Sequence, residues 1–92
     1  MPALAPDAIT RALEALPGWK LKDEAIARTF TFTDFREAIS FVQSVAALAE
    51  RAGHHPDIDI RYNKVTLALS THDEGGITEK DFSLAMEISK LL

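Results

Sequence analysis

Cysteine is absent from this chain of 92 residues. That excludes disulfides, thiolate nucleophiles and thiolate zinc sites. Also missing is any apolar run near the ~20 residues a membrane-spanning helix needs. No basic, apolar leader of signal-peptide type opens the chain, so a cytoplasmic protein with no membrane partner is expected. Positive charge is in short supply as well: ten Lys and Arg face fourteen Asp and Glu, for a net charge of −4. A phosphate-backbone binder needs a basic face, so no nucleic-acid partner is expected. No fixed-period repeat, low-complexity tract or linker interrupts the sequence. With 47% apolar and 26% charged residues, the composition is that of an ordinary globular protein. The chain is too short for two cores, so residues 1–92 read as a single domain.

What is present is pattern. Pro6-Asp7 opens a segment with Ile9, Ala12, Leu13 and Leu16 at helical spacing, and Pro17-Gly18 stops it. Trp19-Lys20-Leu21-Lys22 alternates, Asp23-Glu24 reads as a turn, and Ile26, Arg28, Phe30 and Phe32 share one parity, the signature of a β-hairpin. From about Asp34 to Ala52 runs the strongest helix pattern, with Asp34 and Glu37 spaced as a capping box and Thr33 as the competing cap. Its expected core stripe is Phe35, Ala38, Ile39, Val42, Val45, Ala46, Ala49 and Ala52, with Phe41 and Leu48 off the edge. Gly53 stands where a left-handed residue commonly ends a helix.

A second hairpin follows, Asp57 to Tyr62 and Val65 to Leu69, with Asn63-Lys64 as its expected turn and Tyr62 opposite Val65. A loop at Gly75-Gly76 then leads to a last helix, capped by Thr78 and Asp81, with Ile77 and Phe82 placed as a staple. The order α-β-β-α-β-β-α predicts an α+β two-layer sandwich: a four-stranded antiparallel sheet with three helices on one face. Lys20, Lys22, Thr29, Thr31, Asp59 and Arg61 are expected on its open face.

The side chains with most chemical promise are the three histidines, His54, His55 and His72. Imidazole exchanges its proton near neutral pH, which suits general acid-base work. On the expected register His55 falls opposite His72, so the hairpin's open end gathers all three rings. Pro56 holds His55 toward extended geometry, and Glu50, one turn back on the long helix, is placed to orient a ring. A zinc site built from the histidines with Asp73 or Glu74 is the rival. Its spacing matches no recognised zinc pattern, and adjacent residues rarely aim both rings at one ion, so no metal is expected. No nucleophile elbow supports a Ser-His-Asp hydrolase.

At these residues the sequence resembles the pterin-4a-carbinolamine dehydratases. The family's spacing is kept at Glu50, His54-His55-Pro56, Tyr62, His72 and Asp81. Gly18-Trp19, Phe32-Thr33-Asp34-Phe35, Tyr62-Asn63-Lys64-Val65 and Leu69-Ser70-Thr71-His72 are similar too, so the likeness spans nearly the whole chain. It implies removal of water from 4a-hydroxytetrahydrobiopterin to give the quinonoid dihydropterin, recycling the pterin of aromatic amino acid hydroxylases. It implies no organic cofactor or metal, and a homodimer or a homotetramer packed through helices. His54, His55, Pro56, Thr71, His72, Asp73 and Glu74 would contact substrate, with Trp19 bordering the pocket. His54 and His72 would form the acid-base pair and His55 would hold the pterin ring, with Glu50 and Asp81 in support. Two departures stand out: Gly53 where an acidic residue often precedes the histidines, and Ile58 where an aromatic often follows the proline. The rival function is a non-catalytic interaction module, a coactivator or assembly factor on the same scaffold.

Overall fold

Two hairpins supply the sheet of the computed structural model, which describes residues 2–92. Strand β1 (Lys20–Lys22) pairs with β2 (Ala25–Thr31), and β3 (Asp57–Arg61) pairs with β4 (Lys64–Leu69), all antiparallel. The strand order β1-β2-β4-β3 puts β2 and β4 in the centre and leaves β1 and β3 as edges. Three helices, α1 (Pro6–Leu13), α2 (Phe35–Ala52) and α3 (Glu79–Ser89), complete the expected α+β order, with a 3-10 turn at His72–Glu74.

The core forms where alternation and helical spacing meet. Ile26, Val65, Leu67 and Leu69 on the central strands are fully buried, packed in one cluster with Ile9 of α1, Val45 of α2 and Ile88 of α3. Each such side chain contributes about 1.5–3 kcal/mol by leaving water. The residues expected on the open face are exposed there, and Thr29 and Thr66 share a 2.9 Å hydrogen bond across β2 and β4.

Helix α2 is rotated relative to the expected stripe. Its buried residues are Ala38, Phe41, Val45 and Ala49, whereas Phe35 is half exposed and Ala46 and Ala52 face outward. Phe41 turns inward because two rings wait for it, Phe30 at 4.7 Å and Phe32 at 4.9 Å between centroids. Alanines spread over several faces leave the rotation of the helix loosely set, and the large aromatic decides it. The caps follow the sequence. Asp34 accepts the Glu37 N–H at 2.9 Å, and Thr78 and Asp81 form a reciprocal capping box. The amino-terminal segment is tied down by Leu4 N–H donating to the Ile77 carbonyl at 2.8 Å.

The second hairpin differs from expectation by two residues. Ile60 pairs with Val65 and Arg61 with Lys64, so the turn is Tyr62-Asn63 rather than Asn63-Lys64. Asn63 is what shifts it: its side-chain amide donates to the Phe32 carbonyl, and its own carbonyl accepts the Phe32 N–H, both at 2.8 Å. Tyr62 therefore leaves the inner face, takes a left-handed φ of 54° and is 66% exposed. A slip of two preserves parity, so Ile58 and Ile60 keep their face. It does remove His55 from its place opposite His72; extrapolated, the ladder sets His55 level with Ser70.

Leu67→Ala, at the buried centre of β4, is expected to lower the unfolding free energy by about 2–5 kcal/mol. Thr29→Ala on the open face should stay within about 1 kcal/mol. Urea denaturation of both variants checks the assignment of faces, and equal losses would contradict it.

Candidate active site

Gly53 creates the approach to the site. It caps α2 with φ 63°, and the next residue closes the turn by donating its N–H from His54 to the Ala49 carbonyl at 3.1 Å. This is the left-handed ending in which glycine avoids a Cβ penalty. The chain then leaves the helix with His54 and His55 on consecutive residues, and their side chains meet different partners.

His54 is directed toward α3. Its Nε2 lies 2.5 Å from Asp81 Oδ1, and the Asp81 side chain is fully buried. The other carboxylate oxygen accepts the Thr71 hydroxyl and the Thr78 backbone N–H, each at 2.9 Å. Thr71 has one O–H and spends it on Asp81. The 2.8 Å bond between the Thr71 and Thr78 hydroxyls must therefore run from Thr78 to Thr71. Thr78 in turn accepts the Lys80 N–H at 3.2 Å. Every proton in the network runs toward Asp81, as an ionised acceptor requires, so His54 donates through Nε2 and a neutral ring keeps a free lone pair on Nδ1. Among the described residues no buried side-chain nitrogen or oxygen lacks a partner.

His55 is held differently. Its Nε2 lies 2.5 Å from Glu50 Oε2, but the two side chains are 63% and 77% exposed. Water competes for such a pair, so it orients the ring weakly. Glu50 thus serves His55 and Asp81 serves His54. His72 opens the 3-10 turn beyond β4 and is exposed. That turn is pinned at its base by the Thr71–Gly76 bridge, with Thr71 N–H to the Gly76 carbonyl at 2.8 Å.

The three rings share a cleft of about 290 Å³. His54 and His55 line one side, Ser70, Thr71, His72 and Asp73 the other, and Lys80 joins from α3. The expected cluster therefore exists, although the loop after β4 brings His72 in rather than the hairpin ladder. Pro56 is half-buried and Glu74 exposed, and neither lines the cleft. Trp19 lies elsewhere: it is 4% exposed in the core, edge-on to Phe30, and its indole N–H donates to Ser89 Oγ at 2.9 Å. Thr71 lines the cleft, but its hydroxyl is committed to Asp81.

Lys80, Ser70 and the second role of Thr78 escape a reading of the sequence. The signal for Lys80 was its place beside Asp81 in the capping box, which fixes the first turn of α3 against the histidines. A larger cavity of about 440 Å³ lies between α2 and α3 and is also lined by His54 and Lys80.

Asp81→Ala strands three donors in the interior and is expected to cost about 3 kcal/mol. Thr71→Val, which removes one donor and leaves the Thr78 hydroxyl without its acceptor, should cost about 1–2 kcal/mol. Thermal and urea unfolding measure both; wild-type stability in Asp81→Ala would show that the carboxylate does not organise this corner.

The family description that matches this sequence, pterin 4 alpha carbinolamine dehydratase, spans residues 2–91. A protein of Acidobacterium capsulatum, provisionally named a pterin-4-alpha-carbinolamine dehydratase, is 58% identical over the whole of both chains. One from Chloroflexus aurantiacus with the same provisional name is 55% identical over all of this chain and 99% of its own. The crystal structure of a Brucella melitensis protein, described as a transcriptional coactivator/pterin dehydratase, superposes with a TM-score of 0.93 at 40% identity, covering 97% of each chain. With both hydrogen-bonded dyads in place and a match along nearly its full length, the chain belongs to the pterin-4a-carbinolamine dehydratase family.

Proposed function

We propose that this protein dehydrates 4a-hydroxytetrahydropterins, with 4a-hydroxytetrahydrobiopterin as substrate and the quinonoid dihydropterin as product. The observation that carries the reading is His54, fixed through Nε2 by buried Asp81, sharing a cleft with His72, whose ring bonds to no other side chain among the described residues. Dehydration breaks the C4a–O bond, and a proton on the departing oxygen lets it leave as water. The N5–H bond gives up its proton, and its electrons form the C4a=N5 double bond. In this reading His54 Nδ1 accepts the N5 proton while Asp81 stabilises the imidazolium that forms. His72 donates to the leaving hydroxyl, and His55, braced by Glu50, borders the ring. Each proton transfer contributes about 10²–10⁴-fold. Asp73 supplies a further polar contact on the cleft wall. The physiological role proposed is recycling of the pterin used by aromatic amino acid hydroxylases, in the cytoplasm. An interaction module would have no use for a histidine pair organised in this way, which favours the enzyme.

His54→Ala and His72→Ala are each expected to reduce kcat by about 10²–10⁴-fold, followed as quinonoid dihydropterin formation from freshly generated carbinolamine. Two variants at wild-type rates would remove the acid-base assignment. Asp81→Asn should act through His54: its oxygen still serves Thr71 and Thr78, while its amide turns to the imidazole and forces Nε2 to accept. The expected result is a fall in kcat of similar size, a stability change near 1 kcal/mol, and an Nδ1–H tautomer seen by nitrogen NMR. An unchanged tautomer would contradict the positioning role.

We also propose that the chain self-associates, as a homodimer or a homotetramer, through the open edge of β3. Ile58 and Ile60 are 39% and 38% exposed there, and an unpaired edge is a template for a second strand. The segment is self-complementary: antiparallel pairing centred on Asp59 sets Asp57 opposite Arg61 and Ile58 opposite Ile60. Sedimentation at micromolar concentration should show a dimer or larger, and Ile60→Lys should shift it toward monomer. A monomeric wild type would defeat this proposal.

A further inference from the structure

The histidine cleft adjoins the larger cavity between α2 and α3, and His54 and Lys80 line both spaces. Leu48, Ala52 and Leu84 give that groove an apolar floor. Arg51 and Lys80 add two cations, neither of which is engaged in an ion pair among the described residues. Of the two carboxylates at its rim, Glu87 is paired with Lys90 at 3.8 Å, and Glu79 sits in the first turn of α3. An apolar floor with uncommitted cations matches a ligand that has an apolar stem and an anionic end.

The chemistry of the ring says which part of the substrate would reach the groove. In a pterin, C6 is bonded directly to N5. A substituent on C6 therefore starts two bonds from the atom whose proton His54 is placed to take. His54 also borders both cavities. At about 290 Å³ the cleft has room for a bicyclic ring, and at about 440 Å³ the groove is large for a short hydroxylated chain.

We propose that the α2–α3 groove is a subsite for the C6 substituent of the pterin, and that it selects long substituents with an aromatic or aliphatic stem and a carboxylate or phosphate end. The proposal rests on the dehydratase reading with His54 facing N5. It makes Arg51 and Lys80 specificity determinants, and it widens the substrate class from short-chain pterins to pterins with extended anionic tails.

Calorimetric titration with two stable dihydropterins tests it, one bearing a methyl group at C6 and one bearing an aminobenzoylglutamate chain. The extended compound is expected to bind at least about tenfold tighter, the worth of one charge-assisted contact. Arg51→Glu should abolish most of that gain, and Ser83→Trp, which fills the groove from α3, should do the same. If the methyl compound binds and the extended one binds no better, or if both variants keep the gain, the subsite is overturned while the dehydratase reading stands. If neither compound binds and the carbinolamine is not turned over, both readings fall together.

Discussion

A single buried carboxylate holds the functional half of this molecule in place. Asp81 caps α3, receives the hydroxyl from the loop after β4, and fixes the ring that follows α2. Three pieces of chain, far apart in sequence, are thus referenced to one pair of oxygen atoms. Burial is tolerable because each oxygen meets donors with well-placed hydrogens. The direction of those hydrogens follows from the arrangement itself, since a carboxylate cannot donate and a threonine has one proton to give.

The same logic separates two neighbours that look equivalent on paper. His54 and His55 each sit 2.5 Å from a carboxylate, but one pair is enclosed and the other stands in water. Dielectric surroundings therefore divide the work. The enclosed ring is oriented firmly and keeps one nitrogen free, whereas the exposed ring is steered only loosely. The difference lies in the partner each ring meets once the chain has left α2 at Gly53: His54 turns to buried Asp81 and His55 to exposed Glu50.

Much of the fold was legible in the sequence because its signals are large. Strict alternation placed β2, β3 and β4, and paired cap residues marked the starts of α2 and α3. What failed did so for identifiable reasons. A hairpin shifted by two keeps the side chains that stay in the ladder on their own faces, so the pattern cannot separate turn Tyr62-Asn63 from Asn63-Lys64; the Asn63–Phe32 bonds decide it. The orientation of α2 depended on packing among Phe30, Phe32 and Phe41, which periodicity in an alanine-rich helix does not encode. At the site, the histidines and Glu50 could be named from their spacing, and Asp81 as a support only through the family resemblance, whereas Lys80 and the proton order through Thr71 and Thr78 exist only in three dimensions. A 23%-identical pterin dehydratase-like protein described as a RuBisCO assembly factor shares the fold, with a TM-score of 0.65 over 79% of this chain. The scaffold alone therefore does not specify the chemistry.

The chain's single tryptophan lies away from this chemistry, wedged between the sheet and the end of α3 and bonded to Ser89. Indole emission is sensitive to exactly such surroundings, and here it has one source. Fluorescence from this protein is a local gauge of whether the last turns of α3 are seated on the sheet. Because that helix carries Asp81 in its first turn and ends at the indole's partner, light emitted at one end of it reports on the element that organises the histidines at the other.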